Sequence, residues 1–197
     1  MSAQPAGAAA AVPAPDAAAA RPPARWWRLA RRLLAAAMAV LVAGFLVPEP
    51  GRIPVEGATP RDWNPRSFWH EPWGASGVHQ GIDIFAPHGR PVVSPVPGIV
   101  LFQGQLPMGG NVVGVLGPKW RVHYHAHLAD GAAPPRFVAA GTRIGAVGST
   151  GNAAGKPPHL HYAVVSLLPL PWRYRPVTQG WKRMFFVDPA EAMQVQR

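Results

Sequence analysis

The proline and glycine content is the feature that most constrains the fold of this chain. It has 25 prolines and 21 glycines among 197 residues. Proline interrupts helix interiors and lacks the amide hydrogen that a central strand needs, so long helices and long regular strands are disfavoured. The hydrophobic fraction of 48% is nevertheless sufficient for a folded core. We therefore expect one mostly β domain in which short strands are joined by many turns.

Cysteine and charge narrow the possible functions. The chain has no cysteine, which excludes disulfides, thiolate metal sites, a cysteine nucleophile and a lipid-bearing cysteine. Any bound metal must use His, Asp or Glu. The formal charge of +10 favours an anionic partner such as membrane lipid, wall polymer or nucleic acid. Because the sequence has neither a basic helix nor interleaved aromatic residues, we expect no nucleic-acid partner.

The N-terminal region resembles a membrane-targeting segment. Residues 1–25 are nearly all Ala, Pro, Gly and Arg, a composition that predicts a disordered tail. An apolar run, Leu33–Val47, follows five arginines, so the positive-inside rule predicts a cytoplasmic N-terminus. We predict an uncleaved membrane anchor over residues 26–47, because the run starts late and lacks an A-x-A site. A cleaved signal peptide is the alternative, since the run is shorter than a typical span.

The remaining sequence predicts a linker over residues 48–66 and a β-rich domain over residues 67–192. Turn-rich segments separate the strand candidates. The predicted strands are Pro91–Ser94, Gly98–Phe102, Asn111–Leu116, Arg121–Leu128, Thr142–Val147 and Leu160–Val165. Three tryptophans near the domain's start, at positions 63, 69 and 73, are expected to pack against it rather than to line a groove.

All eight histidines lie between His70 and His161, and three groups carry chemistry. In the first, His79 and Asp83 share one face of an extended chain, although a histidine capped by an aspartate in a turn would look similar. In the second, alternation along residues 121–128 places three histidines, at 123, 125 and 127, on one face. In the third, His159 and His161 form an H-x-H pair, a common metal-binding spacing that exposed strand histidines also show.

The coincidence of the three groups favours a catalytic metal site. Two histidines and one carboxylate supply three nitrogen and oxygen ligands, and a fourth tetrahedral position remains for water. Further histidines remain for proton transfer. Surface histidines stay the alternative for His123 and His125.

With these motifs in this order, the sequence resembles the lysostaphin/LytM-type zinc endopeptidases over roughly residues 68–170. The framing segments HQGIDIFAPHGRPVVSPVPGIV and GTRIGAVGSTGNAAGKPPHLHYAV strengthen the resemblance. It implies one Zn²⁺ held by His79, Asp83 and His161, with His127 and His159 acting on the water and the developing oxyanion. It also implies an antiparallel two-sheet β-sandwich with the active site in a groove. His125 stands where that family usually has tyrosine.

The function implied by the resemblance is hydrolysis of peptide bonds in peptidoglycan stem peptides or cross-links, by a domain facing the periplasm from a bacterial inner membrane. The sequence has no H-E-x-x-H glutamate, so a histidine must handle the proton. The alternative is a catalytically silent wall-binding module that activates another hydrolase. A need for an activator protein stays open.

Overall fold

A computed structural model describes residues 24–131 and 133–194. The disordered tail predicted for residues 1–25 lies outside this range except for its last two residues, which begin helix α1 (Ala24–Leu46). The chain divides into two compact units, residues 1–39 and residues 40–197. Each is described by itself.

Helix α1 contains the predicted membrane segment. Its 23 residues extend for about 35 Å at 1.5 Å per residue, and residues 25–46 are apolar enough to cross a membrane. A signal peptide would show the same length and composition. Both predictions for residues 26–47 therefore stand.

The second unit is built from short strands, as the proline and glycine content predicts. All six predicted strands are present, and each boundary lies within a few residues of its predicted position. The additional strands are short, which is why β6 and β9 gave no alternation to detect. The elements are β1 (Ile82–Phe85), β2 (Pro91–Val93), β3 (Gly98–Leu106), β4 (Gly110–Gly117), β5 (Arg121–Leu128), β6 (Phe137–Val138), β7 (Arg143–Ala146), β8 (His159–Ser166), β9 (Phe186–Val187) and the short helix α2 (Pro189–Ala192).

Every strand pairing is antiparallel, and the predicted mostly β, two-sheet class is confirmed. The main sheet has the order β1–β8–β5–β4–β3–β6, with β9 also pairing with β8. The second sheet consists of β2 and β7 alone. One apolar core contains side chains from both sheets, including Val92 and Ile144 from the small sheet and Val115 and Leu160 from the large one.

Residues 48–66, which we expected to act as a linker, contribute to this core. Val55 is 2% exposed and pairs with Val92 of β2, while Trp63 is 5% exposed. The Glu49 side chain is also buried and forms ion pairs with Lys119 and Arg121. The segment therefore packs on the domain along much of its length.

Candidate metal centre

Three neighbouring strands of the main sheet, β1, β8 and β5, position the candidate site. Asp83 of β1 lies directly across from His161 of β8, and His161 lies across from Ala126 of β5. His79 precedes β1 by three residues. The pairing register thus brings together residues that are far apart in the sequence.

The ligand atoms of His79, Asp83 and His161 converge on one point. His79 Nε2 is 3.1 Å from Asp83 Oδ1 and 3.1 Å from His161 Nδ1, and the last two atoms are 2.9 Å apart. Tetrahedral ligands at 2.0–2.1 Å from zinc lie about 3.3 Å from one another. Among the described residues this is the one group of three or more His, Cys, Asp or Glu residues close enough to hold a metal ion.

The surroundings of His79 fix which nitrogen is available. Its Nδ1 donates a hydrogen bond to the carbonyl oxygen of Ser67 at 3.0 Å, so Nε2 keeps a lone pair for the cluster. The Trp73 ring stacks on the imidazole at a centroid distance of 4.1 Å. Ser67 was not identified as a site residue from the sequence, because a backbone carbonyl carries no sequence signal. Trp73 was expected to pack against the domain rather than to line a groove.

Close packing also explains why residue 81, between His79 and Asp83, is a glycine. A Cβ on Gly81 would lie 2.5 Å from the carbonyl oxygen of Tyr162 and 2.9 Å from the His161 ring. Both contacts are shorter than side-chain carbons tolerate, so glycine keeps the His161 ring in its place.

Asp83 is held as a carboxylate. Burial by itself would raise its pKa, but the close contacts with the His161 and His79 imidazoles outweigh burial and lower the pKa well below its usual range. An ionised carboxylate beside two imidazoles is the donor set that zinc prefers when thiolates are absent.

A bulge in β5 places His127 at the site. Asn111 of β4 pairs with Leu128 of β5, and Val113 pairs with His125. The chain therefore advances by two residues in β4 but by three residues in β5 between these pairs. The extra residue is accommodated at His127, whose φ of +61° is left-handed. Its backbone amide donates to the carbonyl oxygen of Gly109 at 2.8 Å. The expectation that His123, His125 and His127 share one face was therefore wrong, because the bulge reverses the alternation before residue 127.

His127 and His159 lie beside the ligand cluster with their rings 5.0 Å apart. Nδ1 of His127 donates to the carbonyl oxygen of Thr150 at 2.9 Å, and Nδ1 of His159 donates to that of Pro157 at 2.8 Å. Each ring thus keeps Nε2 as an acceptor. Burial, followed by the charges of His161 and His159, lowers the pKa of His127 to about 4, so this ring is neutral at pH 7.

His123 and His125 are core residues, at 1% and 0% exposed, and the surface alternative for them was wrong. His123 Nδ1 lies 2.6 Å from the Tyr162 hydroxyl, and His125 Nδ1 donates to the carbonyl oxygen of Val113 at 3.2 Å. Burial lowers the pKa of His123 to about 3 and that of His125 to about 4. Neither ring contributes to the groove.

The five predicted site residues line one open groove of about 540 Å³. Aromatic and apolar side chains make up much of its wall, and among the described residues Lys156 is the one Lys or Arg that lines it. Of the three tryptophans expected to pack, Trp63 and Trp69 are buried, whereas Trp73 is 37% exposed and forms part of the wall. The other large aromatic and apolar side chains that line it include Phe85, Met108 and Tyr124.

Comparisons with known proteins agree with this geometry. Residues 77–168 match the model of peptidase family M23. The chain is 41% identical over 113 residues to the L-Ala–D-Glu endopeptidase of Bacillus subtilis (strain 168), covering 52% of this chain and 35% of the relative. It is 39% identical over 85 residues to the DD-carboxypeptidase/endopeptidase Mpg of Neisseria meningitidis serogroup B, covering 43% of this chain and 19% of the relative. The chain thus spans about a third or less of the length of these relatives.

Among solved structures, the catalytic domain of lysostaphin from Staphylococcus simulans is similar in fold. The two superpose with a TM-score of 0.50 at 26% identity, covering 62% of this chain and 85% of the lysostaphin domain. The matched segment 77–168 contains both candidate ligand motifs and both candidate proton-handling histidines. Residues 77–168 thus resemble a peptidase family M23 domain, and the fold around them is similar to that of the lysostaphin catalytic domain.

Proposed function

We propose that this protein is a zinc-dependent endopeptidase that hydrolyses peptide bonds in peptidoglycan stem peptides or cross-links. The observation that carries the proposal is the convergence of His79, Asp83 and His161 within about 3 Å of one another in an open groove. The match of residues 77–168 to peptidase family M23 and the endopeptidase names of the relatives support it.

The proposed ligands of a single zinc ion are His79 Nε2, Asp83 Oδ1 and His161 Nδ1. Their mutual distances are slightly shorter than the edge of a zinc tetrahedron, so small outward shifts would accommodate the ion. When bound, zinc lowers the pKa of a water ligand toward about 7 and polarises a carbonyl group.

His127 and His159 are the proposed proton-handling residues. Each donates Nδ1–H to a backbone carbonyl, which orients the ring and leaves Nε2 to accept a proton from water or donate one to the leaving amine. The low pKa of His127 keeps this ring in the accepting form at neutral pH. One histidine would take the proton while the other donates to the developing oxyanion.

The groove suits an extended peptide. It is open, and Trp73, Phe85 and Tyr124 provide apolar surface beside the histidines. The relatives' names refer to an L-Ala–D-Glu bond and to a DD-carboxypeptidase/endopeptidase activity. Their substrates are the basis for proposing a wall peptide here, and the formal charge of +10 would favour an acidic polymer.

For location, we propose a single-pass anchor in the bacterial inner membrane, with the M23 domain in the periplasm. Helix α1 is long and apolar enough to span, and arginines precede its apolar part. A reporter fused after residue 197 tests the orientation. A mature protein that begins near Gly44 would establish signal cleavage instead.

The decisive experiment is digestion of purified sacculi by the full chain in mild detergent with zinc, followed by mass spectrometry of the released fragments. We expect fragments with new peptide termini and intact glycan bonds. The matched control is His161→Ala, which should release none. Sacculi that bind the zinc-loaded protein yet stay uncut would reject the endopeptidase and favour the silent wall-binding module.

A further inference from the structure

The segment between β8 and β9, residues 167–185, forms an exposed lobe that the proposed chemistry does not use. We call it the β8–β9 lobe. Three of its aromatic side chains are largely exposed: Trp172 at 71%, Tyr174 at 52% and Trp181 at 57%. Leu167 and Val177 are about half exposed beside them. Exposing this much apolar ring surface to water is unfavourable, and an exposed apolar patch of this kind marks an interaction surface.

The lobe is also cationic. It carries Arg173, Arg175, Lys182 and Arg183, and no Asp or Glu occurs from residue 167 to residue 187. Arg173 is paired with Glu191 at 2.6 Å, and the Arg183 guanidinium lies 5.0 Å from the Trp69 ring centre. Burial, followed by the charges of Arg175 and Arg173, lowers the pKa of Arg183. These guanidinium groups repel one another, so an anion near them would be stabilised.

We propose that the β8–β9 lobe docks on the anionic headgroups of a lipid bilayer. Trp and Tyr side chains favour the membrane–water interface, where the ring meets acyl chains and its polar edge meets headgroups. Arg and Lys beside them attract anionic lipids. Exposed aliphatic side chains such as Leu167 and Val177 add buried apolar area on insertion.

The segment between α1 and the domain, residues 47–48, which we call the tether, is short enough to keep the domain close to the membrane. This step rests on the proposed membrane anchorage. Only two residues separate Leu46, the last residue of α1, from the buried Glu49, and three chain steps span at most about 10 Å. Glu49 pairs with Arg121, whose strand neighbour across the sheet is Ser166, the residue before the lobe. The lobe therefore starts next to the point at which the tether is fixed.

The lobe also contacts the wall of the groove. Gln179 donates to the carbonyl oxygen of Ser76 at 2.7 Å and accepts from the Gln80 side chain at 3.2 Å. Docking would thus hold the groove wall close to the membrane surface. Because of this proximity to the groove, a wall glycan is the competing occupant, and the test must distinguish it from lipid.

The absence of cysteine allows a site-specific probe. Full-length Val177→Cys, labelled with an environment-sensitive fluorophore, is reconstituted into vesicles of phosphatidylglycerol and phosphatidylethanolamine. Quenching by nitroxide-labelled lipid is then measured. The matched control is Phe137→Cys, because Phe137 is 70% exposed on β6, four strands and roughly 19 Å from β8. We expect at least about threefold more quenching at position 177 than at position 137.

Three further variants test the chemistry of docking. In the Val177→Cys background, Trp172→Ser with Trp181→Ser should reduce quenching to the level of the control, while Trp172→Phe with Trp181→Phe should retain most of it. Arg175→Gln should weaken quenching in anionic vesicles and have little effect in phosphatidylcholine. Zinc content and cleavage of soluble wall fragments, measured in detergent, verify that each variant is folded.

The outcomes separate the two proposals. Vesicle flotation reports anchorage, and quenching reports docking. Protein that floats with equal quenching at positions 177 and 137 overturns the docking proposal and leaves the anchor intact. Protein that does not float overturns both. A probe at position 177 that responds to isolated glycan strands but not to lipid would identify the lobe as a wall-polymer surface and also overturn docking.

Discussion

Acid should destabilise this domain through its buried histidines, and His125 gives the sharpest test. The side chain is fully buried, and burial lowers its pKa from 6.5 to about 4. Below pH 6.5 the unfolded chain therefore binds a proton at this position that the folded chain does not bind. Lowering the pH stabilises the state that binds more protons, which here is the unfolded state. The free energy of unfolding therefore decreases between pH 6.5 and about 4.

The magnitude follows from the difference in pKa. At pH 5, which is 1.5 units below the unfolded value, the loss is about 2 kcal/mol at 1.36 kcal/mol per unit. His123, whose pKa is about 3, contributes about 2 kcal/mol more at the same pH. Together these losses are large for a domain whose total free energy of unfolding is on the order of 5–15 kcal/mol.

The assay is urea unfolding of the full chain in detergent at pH 8 and pH 5, with excess chelator so that metal binding does not contribute. We expect His125→Phe to lose about 2 kcal/mol less than the parent between the two pH values, whatever its stability at pH 8. The control is His88→Phe, because His88 is exposed and should leave the difference unchanged. Equal pH dependence in the parent and in His125→Phe would refute the assignment of residue 125 as a buried neutral imidazole.

Other substitutions test the remaining assignments. His127→Ala and His159→Ala should each keep about one zinc per chain but lose about 10²–10⁴-fold in cleavage rate, and zinc loss would move them into the ligand shell. His125→Tyr should leave cleavage within about tenfold, because residue 125 lies in the core and not in the groove; a larger loss would show that it supports the site. Glu49→Gln should lower the free energy of unfolding by about 1–3 kcal/mol, since the partly buried Arg121 loses its charged partner, and an unchanged urea midpoint would contradict this.

Much of the fold could be predicted from the sequence because alternation is a local property. The strands β4, β5 and β8 are long enough for period two to show, and their predicted positions agree with the structure. The two-residue strands β6 and β9 could not be predicted, since two residues carry no period. The core role of Val55 was also invisible, because its partner Val92 is 37 positions away and the pairing depends on the assembled sheet.

The sequence by itself limited the chemistry available to this protein: without cysteine, any metal donor had to be histidine or a carboxylate. The resemblance to the lysostaphin/LytM-type endopeptidases then implied which residues form the ligand cluster and the proton-handling pair. Tertiary structure alone decided which histidines can reach the groove. Alternation assumes an unbroken strand, but the extra residue in β5 gives His127 a left-handed backbone and turns it away from the face of His125. The contacts that stabilise this bulge come from Gly109 and Thr150, which only the folded chain brings to residue 127.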